Sequence, residues 1–535
     1  MKASKMAFLT ALSDIDPKYL KEFRRFLKPE PKWRIIMKKS MSFTAKAVTV
    51  AVAAVVLLGI AFLPGLFQNR VTPAAAPTEE QPLRICFDMG TDMDERGGTS
   101  EQELYVKSFI NNYLLTVNIG VEEEKKLKKE QIEIEVIPSD ESRATERATM
   151  LQRLRTEIMG GGGPDVFICV SDSLGGVYEG VESRLFPYVE FAIEDNLFLP
   201  LDDLMAEFEY TDPAKLTKVL LDAGKNKAGE QVVLPLRYTI PVLYYEPEDV
   251  KPVDQSGKTW DDVLTSDDPL LKEQARWAWR VWWGREDEKR LDSHDSELPC
   301  LFPTMLDTEN RTLGFTEEEL FALVQKSLPP FQSLLQEDSE IRNEAGYFKR
   351  YDAMSPLKRP QHSDDTGLTL IPMRNQTGGV TAMILSYGAV NANTAYPQYA
   401  AAFLDYISRE GIQDDIKRVG GSTLVFGTSE HHLNGISINE DARRPNDSTY
   451  SQATSDEWEK ATRQIDTVHF PSAVDTMLDE MTFEIGVALR DSVDPDFEWP
   501  PVWPEHYANG TISEEKLREI VHEAYKKMVE LVGEA

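Results

Sequence analysis

The stretch from Ala47 to Phe67, AVTVAVAAVVLLGIAFLPGLF, carries no charge and a single polar side chain, Thr49. A helix needs about 20 apolar residues to cross ~30 Å of hydrocarbon, whereas the apolar part of a secretory leader is usually about 7–15 residues long. The length predicts a membrane anchor. A long leader cut beside Ala74, Ala75 and Ala76 is the alternative, because small residues suit a cleavage site. Met1 to Lys46 holds twelve Lys and Arg against four acids, and only Arg70 is basic close behind the span. That asymmetry predicts a cytoplasmic N-terminus and a large extracellular domain, hence a single-pass protein of the cell membrane.

Of the 58 basic and 90 acidic residues in the chain, 46 and 86 lie from Ala47 onward. A surface this acidic repels phosphate backbones and anionic headgroups, which excludes nucleic acid as a partner and argues against the outer domain lying on a membrane. Cys86, Cys169 and Cys300 are the only cysteines, too few for a disulfide framework, so burial within large cores must stabilise the fold. The ~465 residues beyond the span suffice for two or more cores at about 100–200 residues each.

Along the chain, Ala7 to Leu12 and Pro17 to Leu27 read as two short amphipathic helices before the span, and Val71 to Pro82 as an extended tether. Strands and helices then alternate. Arg84 to Met89 is a strand, Ser100 to Tyr113 a helix, Ile132 to Ile137 a strand, Glu141 to Met159 a helix stopped by Gly160 to Gly163, and Pro164 to Val170 a strand. The alternation predicts a parallel sheet covered by helices, with Ile132 to Ile137 and Pro164 to Val170 at its centre. Ligands of such sheets bind beyond the carboxyl ends of the strands, near Asp88 to Asp92 and Val170 to Ser173.

LRTEIMGGGGPDVFI, ending at Ile168, resembles the segment of family 1 extracellular solute-binding proteins of ABC transporters in which a helix stops at glycines before a Pro-Asp strand. LFLPLDDLM (Leu197 to Met205), VVLPLRYTIPVLYYEPE (Val232 to Glu248), TWDDVL (Thr259 to Leu264), Gly378 to Ile407 and Gly510 to Met528 are similar to later pieces of that family, in the family's order. The resemblance implies an α/β, two-lobed periplasmic-binding-protein-like fold of type II, here preceded by one transmembrane helix, with a solute held between lobes that close about a few hinge residues. It implies a first crossing between lobes over Val232 to Glu246 and a return over Thr381 to Ala392. The expected organisation is a cytoplasmic segment (residues 1–43), the span (44–67), a linker (68–82), lobe one (83–240), lobe two (241–380), the return crossing with the rest of lobe one (381–425), and a helical C-terminal part, mainly lobe two (426–535). The implied function is capture of a small solute, an oligosaccharide first among the classes, for an ABC permease. The family's Gly-rich segment before the return strand is replaced by Glu344 to Pro360 and QHSDDTG, which keeps a sensory or cell-wall-interaction role on the same fold as the alternative.

The candidate ligand contacts are Asp88, Asp92, Ser171 and Asp172 at strand ends, Arg237, Tyr238 and Tyr387 at the crossings, and Trp283 and Trp503 in lobe two. Aromatic faces stack on sugar rings. Trp283 follows Trp277, Trp279 and Trp282, where helical spacing also permits a core role, and Trp503 lies with Trp499 among prolines. Asp92, Asp94, Gly97 and Glu103 match four positions of a calcium loop, but Arg96 fills the fifth-position ligand site and a strand precedes the loop, so no metal is expected. His431 and His432 stand without zinc spacing, and no nucleophile elbow occurs, so neither a cofactor nor an enzyme activity is expected.

Overall fold

The computed structural model describes residues 76–88, 98–138, 143–170, 184–245, 254–268, 271–272, 274–275, 298–336, 350–351, 369–409, 436–443, 459–492 and 510–534. By its internal contacts the chain divides into two units, Met1–Ala75 and Ala76–Ala535, and every described residue belongs to the second. The span Ala47 to Phe67, the helices before it and the first part of the tether lie outside the described residues, as do the loop Asp92 to Gly97, the four tryptophans 277 to 283, Glu344 to Lys349, Asp352 to Pro360, the paired histidines, Trp499 and Trp503. Among the described residues no helix is long and apolar enough to cross a membrane.

Strands β1 (Leu83–Asp88), β2 (Ile132–Ile137) and β3 (Val166–Val170) pair in parallel, with β1 between the other two. Parallel neighbours need a crossover, and helices α1 (Gly98–Val117) and α2 (Ala144–Met159) supply it. Helix α2 stops where the sequence runs into glycine. Gly161 has φ +79° and Gly163 φ +91°, a backbone that suits residues without a Cβ, and the amides of Gly161 and Gly162 close the last turn on Ile158 and Glu157 carbonyls at 2.9 Å. At Gly163 a Cβ would also stand 2.9 Å from Ile158 Cγ1.

The chain then builds β4 (Val233–Thr239) and β5 (Val242–Tyr245), a two-stranded ribbon of β6 (Leu306–Asp307) and β7 (Thr312–Leu313), the helix α3 (Glu317–Gln336), and β8 (Arg350–Tyr351) and β9 (Thr369–Pro372). It continues through β10 (Val380–Val390), α4 (Pro397–Ser408), β11 (Ile436–Ser437), β12 (Ile465–His469), α5 (Ala473–Asp491) and α6 (Glu514–Glu534). Seven strands form one sheet in the order β11-β4-β10-β3-β1-β2, with β12 added beside β10. Ile132–Ile137 is therefore an edge strand paired to β1 alone, not a central one; the centre belongs to β10, which runs antiparallel between β3 and β4. Every residue of β4 and β10 is buried, as expected of strands covered on both faces. Pro235 lacks the N–H a central strand needs, and the β4–β10 register shifts on both sides of Ser386, skipping Leu236 and Leu385.

A second sheet has the order β8-β5-β9. The chain thus leaves the large sheet at the end of β4, enters the small one as β5, and returns from β9 to β10. The described side chains form two hydrophobic cores. One surrounds the large sheet and includes Phe87, Phe109, Phe167 and Phe403. The other joins α3, α5 and α6 around Trp260, Phe315, Leu478 and Met528. Strands β11 and β12, from the C-terminal part of the chain, nonetheless belong to the large sheet.

Candidate functional site

In the register of the large sheet, β1, β3 and β4 end on the same side as the start of β10, because β10 runs antiparallel to all three. This edge is also where the chain crosses to the small sheet. The two crossings touch there: the Met373 amide donates to the Pro241 carbonyl at 2.8 Å. Asn375 fixes the turn that follows. Its Oδ1 accepts from the Thr377 amide at 3.0 Å and the Gly379 amide at 2.9 Å, its Nδ2 donates to Asp466 Oδ1 at 3.0 Å, and its carbonyl accepts the Trp260 amide at 3.0 Å. One residue therefore ties the return crossing to β12 through its side chain and to the first turn of the helix Trp260–Leu264 through its carbonyl.

Asp88 ends β1, but it is buried and engaged. Arg147 on α2 donates from Nη2 to Asp88 Oδ1 at 2.8 Å and from Nη1 to the Pro138 carbonyl at 2.8 Å, and the Leu185 amide donates to Asp88 Oδ2 at 2.7 Å. The expectation of an Asp88 carboxylate open to a solute is corrected accordingly. Helix α2 places an arginine over the strand end, and a buried carboxylate is retained only when so paired.

Tyr387 projects from β10 into the same cluster. Its ring meets Phe470 edge-on, with centroids 5.5 Å apart, and it is hydrogen-bonded to Cys169 at the end of β3. Burial pushes both the Tyr387 hydroxyl and the Cys169 thiol well above their ordinary values, so both stay neutral. Arg237 and Tyr238 are buried and adjacent on β4, so their side chains leave opposite faces of the sheet. The Tyr238 hydroxyl lies 2.7 Å from Thr462 Oγ1, and Arg237 stands in register with Ser386 and Ser437. Both were expected as ligand contacts at the crossing; the pleat sends them to opposite faces of the sheet. Asp88, Cys169 and Tyr387 do come together, while Asp92, Ser171, Asp172, Trp283 and Trp503 lie outside the described residues.

The sequence reading missed the groups that close this edge from the other core. Arg184 donates from Nη1 to the Pro471 carbonyl at 2.8 Å, and Ser472 caps α5, its hydroxyl donating to Asp475 Oδ2 at 2.9 Å and accepting from the Val474 amide at 3.2 Å. The signal was present: Ser472 and Asp475 have the spacing of a helix-capping box ahead of an apolar helix. Among the described residues no group of three His, Cys, Asp or Glu side chains is placed to hold a metal.

No protein-family model and no curated protein sequence matches the chain. Solved structures similar to it include extracellular solute-binding proteins and oligosaccharide-binding proteins, at low identity. A family 1 extracellular solute-binding protein from Alicyclobacillus acidocaldarius is 14% identical over 84% of this chain and 99% of its own, with a TM-score of 0.41. A periplasmic oligogalacturonide binding protein from Yersinia enterocolitica is 12% identical over 84% and 99%, with a TM-score of 0.45. The GacH receptor of Streptomyces glaucescens is 13% identical over 84% and 98%, with a TM-score of 0.40. A de novo designed cysteine esterase stands among the similar structures too.

Proposed function

We propose that this protein is a membrane-anchored extracellular solute-binding protein of the type II two-lobed architecture, which captures a small solute and presents it to an ABC permease without bond chemistry. The observation that carries the reading is the double crossing. The large sheet, which has its own core, and the small sheet are joined by Ile240–Pro241 on the way out and by residues 373–379 on the way back, and the two links are hydrogen-bonded to each other. Such a pair of adjacent links lets two rigid bodies rotate about one line, which is the mechanical requirement for closing around a ligand.

In this reading Asp92, Ser171, Asp172, Trp283 and Trp503 supply the contacts, and the buried Asp88, Arg237, Tyr238 and Tyr387 hold the walls that carry them. Oligosaccharides are the first class to test, since Trp283 and Trp503 offer aromatic platforms and Asp92 an acceptor for hydroxyls. A thermal-shift screen of sugars, peptides and polyamines against the outer domain tests it. A solute bound only by the folded state raises stability by about 2.7 kcal/mol at a hundredfold excess over its Kd. Trp283→Ala should weaken such a hit while leaving the unliganded midpoint in place. If no compound of any class stabilises the protein, the transport reading fails and the sensory or cell-wall-interaction role takes its place.

A further inference from the structure

Among the described residues only Asn196 and Arg311 take a left-handed backbone without being glycine, with φ +56° and +52°. Far apart in sequence, they flank one contact. Arg311 reaches Asp195, the residue before Asn196, with Nη1 2.8 Å from Oδ1 and Nη2 3.2 Å from Oδ2, and its Cζ stands 4.7 Å from the centroid of the Phe191 ring.

Each half of this contact is built by its local sequence. Asparagine tolerates the left-handed region, so Asn196 ends the short helix Val189–Glu194 and leaves Asp195 at its C-cap, where the Asp195 amide donates to the Phe191 carbonyl at 2.8 Å. Arg311 is the last of the four residues that join β6 to β7. Asp307 shapes that loop: its Oδ1 accepts from the Glu309 and Asn310 amides, both at 3.0 Å, and its Oδ2 accepts from Asn310 Nδ2 at 2.7 Å. Glycine would fill the left-handed position without the strain that a Cβ brings. An arginine that keeps the strain marks its side chain as what the position supplies.

The two halves belong to different cores. Just after Asn196 the chain bonds to the end of β10: the Leu199 amide donates to the Val390 carbonyl at 2.8 Å, and the Ala392 amide to the Leu197 carbonyl at 3.0 Å. Val189, Ala192 and Ile193 pack into the core of the large sheet, so the helix is carried by that sheet. Leu306 and Leu313 of the β6–β7 ribbon lie in the helical core, and the helix rests on that core through Tyr188 and Phe191. Arg311 therefore grips, from one core, a helix carried by the other. We propose that Arg311 is a latch across the join: its two-pronged pair with Asp195 and its stacking on Phe191 hold the two cores in the setting of this structure, and the latch opens when they rotate past one another. This rests on the reading of two bodies that turn about the crossings and adds what restrains them.

The strength of the latch sets what it can do. The two side chains are 38% and 47% exposed, so water and salt screen the pair. A pair of this kind shifts the ratio of two settings roughly twofold to fivefold. It biases the join without locking it, as a receptor that must both open and close requires.

Spin labels at Asn112→Cys on α1 and Glu523→Cys on α6, both exposed positions, report the separation of the two bodies in the full-length chain, whose native thiols are buried. Arg311→Gly deletes the latch and relieves its backbone, so the protein should stay folded while the ratio of distance populations moves roughly twofold to fivefold away from the wild-type setting. Asp195→Asn leaves both backbones untouched and should move the ratio in the same direction. In about 1 M salt the wild type should approach the Arg311→Gly distribution, which itself should not respond. Identical distances in wild type and both variants overturn the proposal. A shift in Arg311→Gly alone overturns it too, since the ribbon backbone and not the charge pair would then be the cause. No solute is present in these measurements: a shift without any hit in the solute screen leaves the latch standing and removes solute capture, and a hit with unchanged distances does the reverse.

Discussion

Breaking a buried ion pair by removing one partner costs far more than the pair contributes, because the survivor is left charged in a dry site. Asp88 and Arg147 form such a pair at the end of β1, each fully inside the fold. Arg147→Met should lower the unfolding free energy in urea by about 3–5 kcal/mol, and adding Asp88→Asn should recover most of it, since the amide oxygen still serves the Leu185 N–H. If the double variant is as unstable as the single one, packing of the guanidinium rather than charge is what Arg147 supplies. His469 gives a second test at this scale. Its folded value of about 4 lies below the ordinary 6.5, so the unfolded chain binds the extra proton and stability is lost as pH falls between those values. In His469→Gln, which retains a donor for the Phe302 carbonyl, that acid-side loss should flatten relative to wild type in urea titrations run at each pH. These residues show why the site was only partly legible. Asp88 at a strand end is visible in a sequence; the arginine that consumes it stands 59 positions away on another element, and nothing local announces the contact.

Periodicity located elements well wherever one face decided the pattern. Ile132–Ile137 has the bounds expected of it, and the strands expected from Arg84 and Pro164 begin at Leu83 and Val166. Pairing is another matter, since a strand's neighbours depend on long-range topology. The insertion of β10 between β3 and β4 moves the centre of the sheet away from β2. Amide exchange should therefore be slowest in β3 and β10 and measurably faster in β2, whose outer edge lacks a partner strand among the described residues. Equal protection of β2 and β3 would contradict the sheet order. The return crossing offers a sharper test. A Cβ at Gly379 would fall 1.8 Å from the Asp466 carboxylate that Asn375 holds in place. Gly379→Ala should thus displace the Asp466 side chain and break its hydrogen bond from Asn375, destabilising the protein by about 1 kcal/mol. Asp466→Ala in the same background should cost little more, since the displaced group has already lost that bond.

At the scale of the whole chain, charge and hydropathy carry information that the fold of the outer domain does not. The uncharged stretch Ala47 to Phe67 divides a basic N-terminal segment from a strongly acidic remainder, and in the proposed topology the basic flank stays on the cytoplasmic side. Cys86, Cys169 and Cys300 are all buried and none is in a disulfide, so packing rather than cross-links must protect the proposed outer domain, and protease should cut first in exposed linkers. In the proposed topology the cut falls in the tether before Pro77, whose carbonyl accepts from Gln131 and so belongs to the folded domain. Protease added to intact cells should accordingly release the acidic domain as one soluble piece and leave a membrane-bound stub containing Met1 to Phe67. An epitope placed at the N-terminus should stay protected until the membrane is permeabilised. Recovery from untreated cells of a soluble domain beginning near Ala76 would show instead that the span is a cleaved leader, and a domain that survives protease on intact cells but is cut after permeabilisation would reverse the orientation drawn from the lysines and arginines.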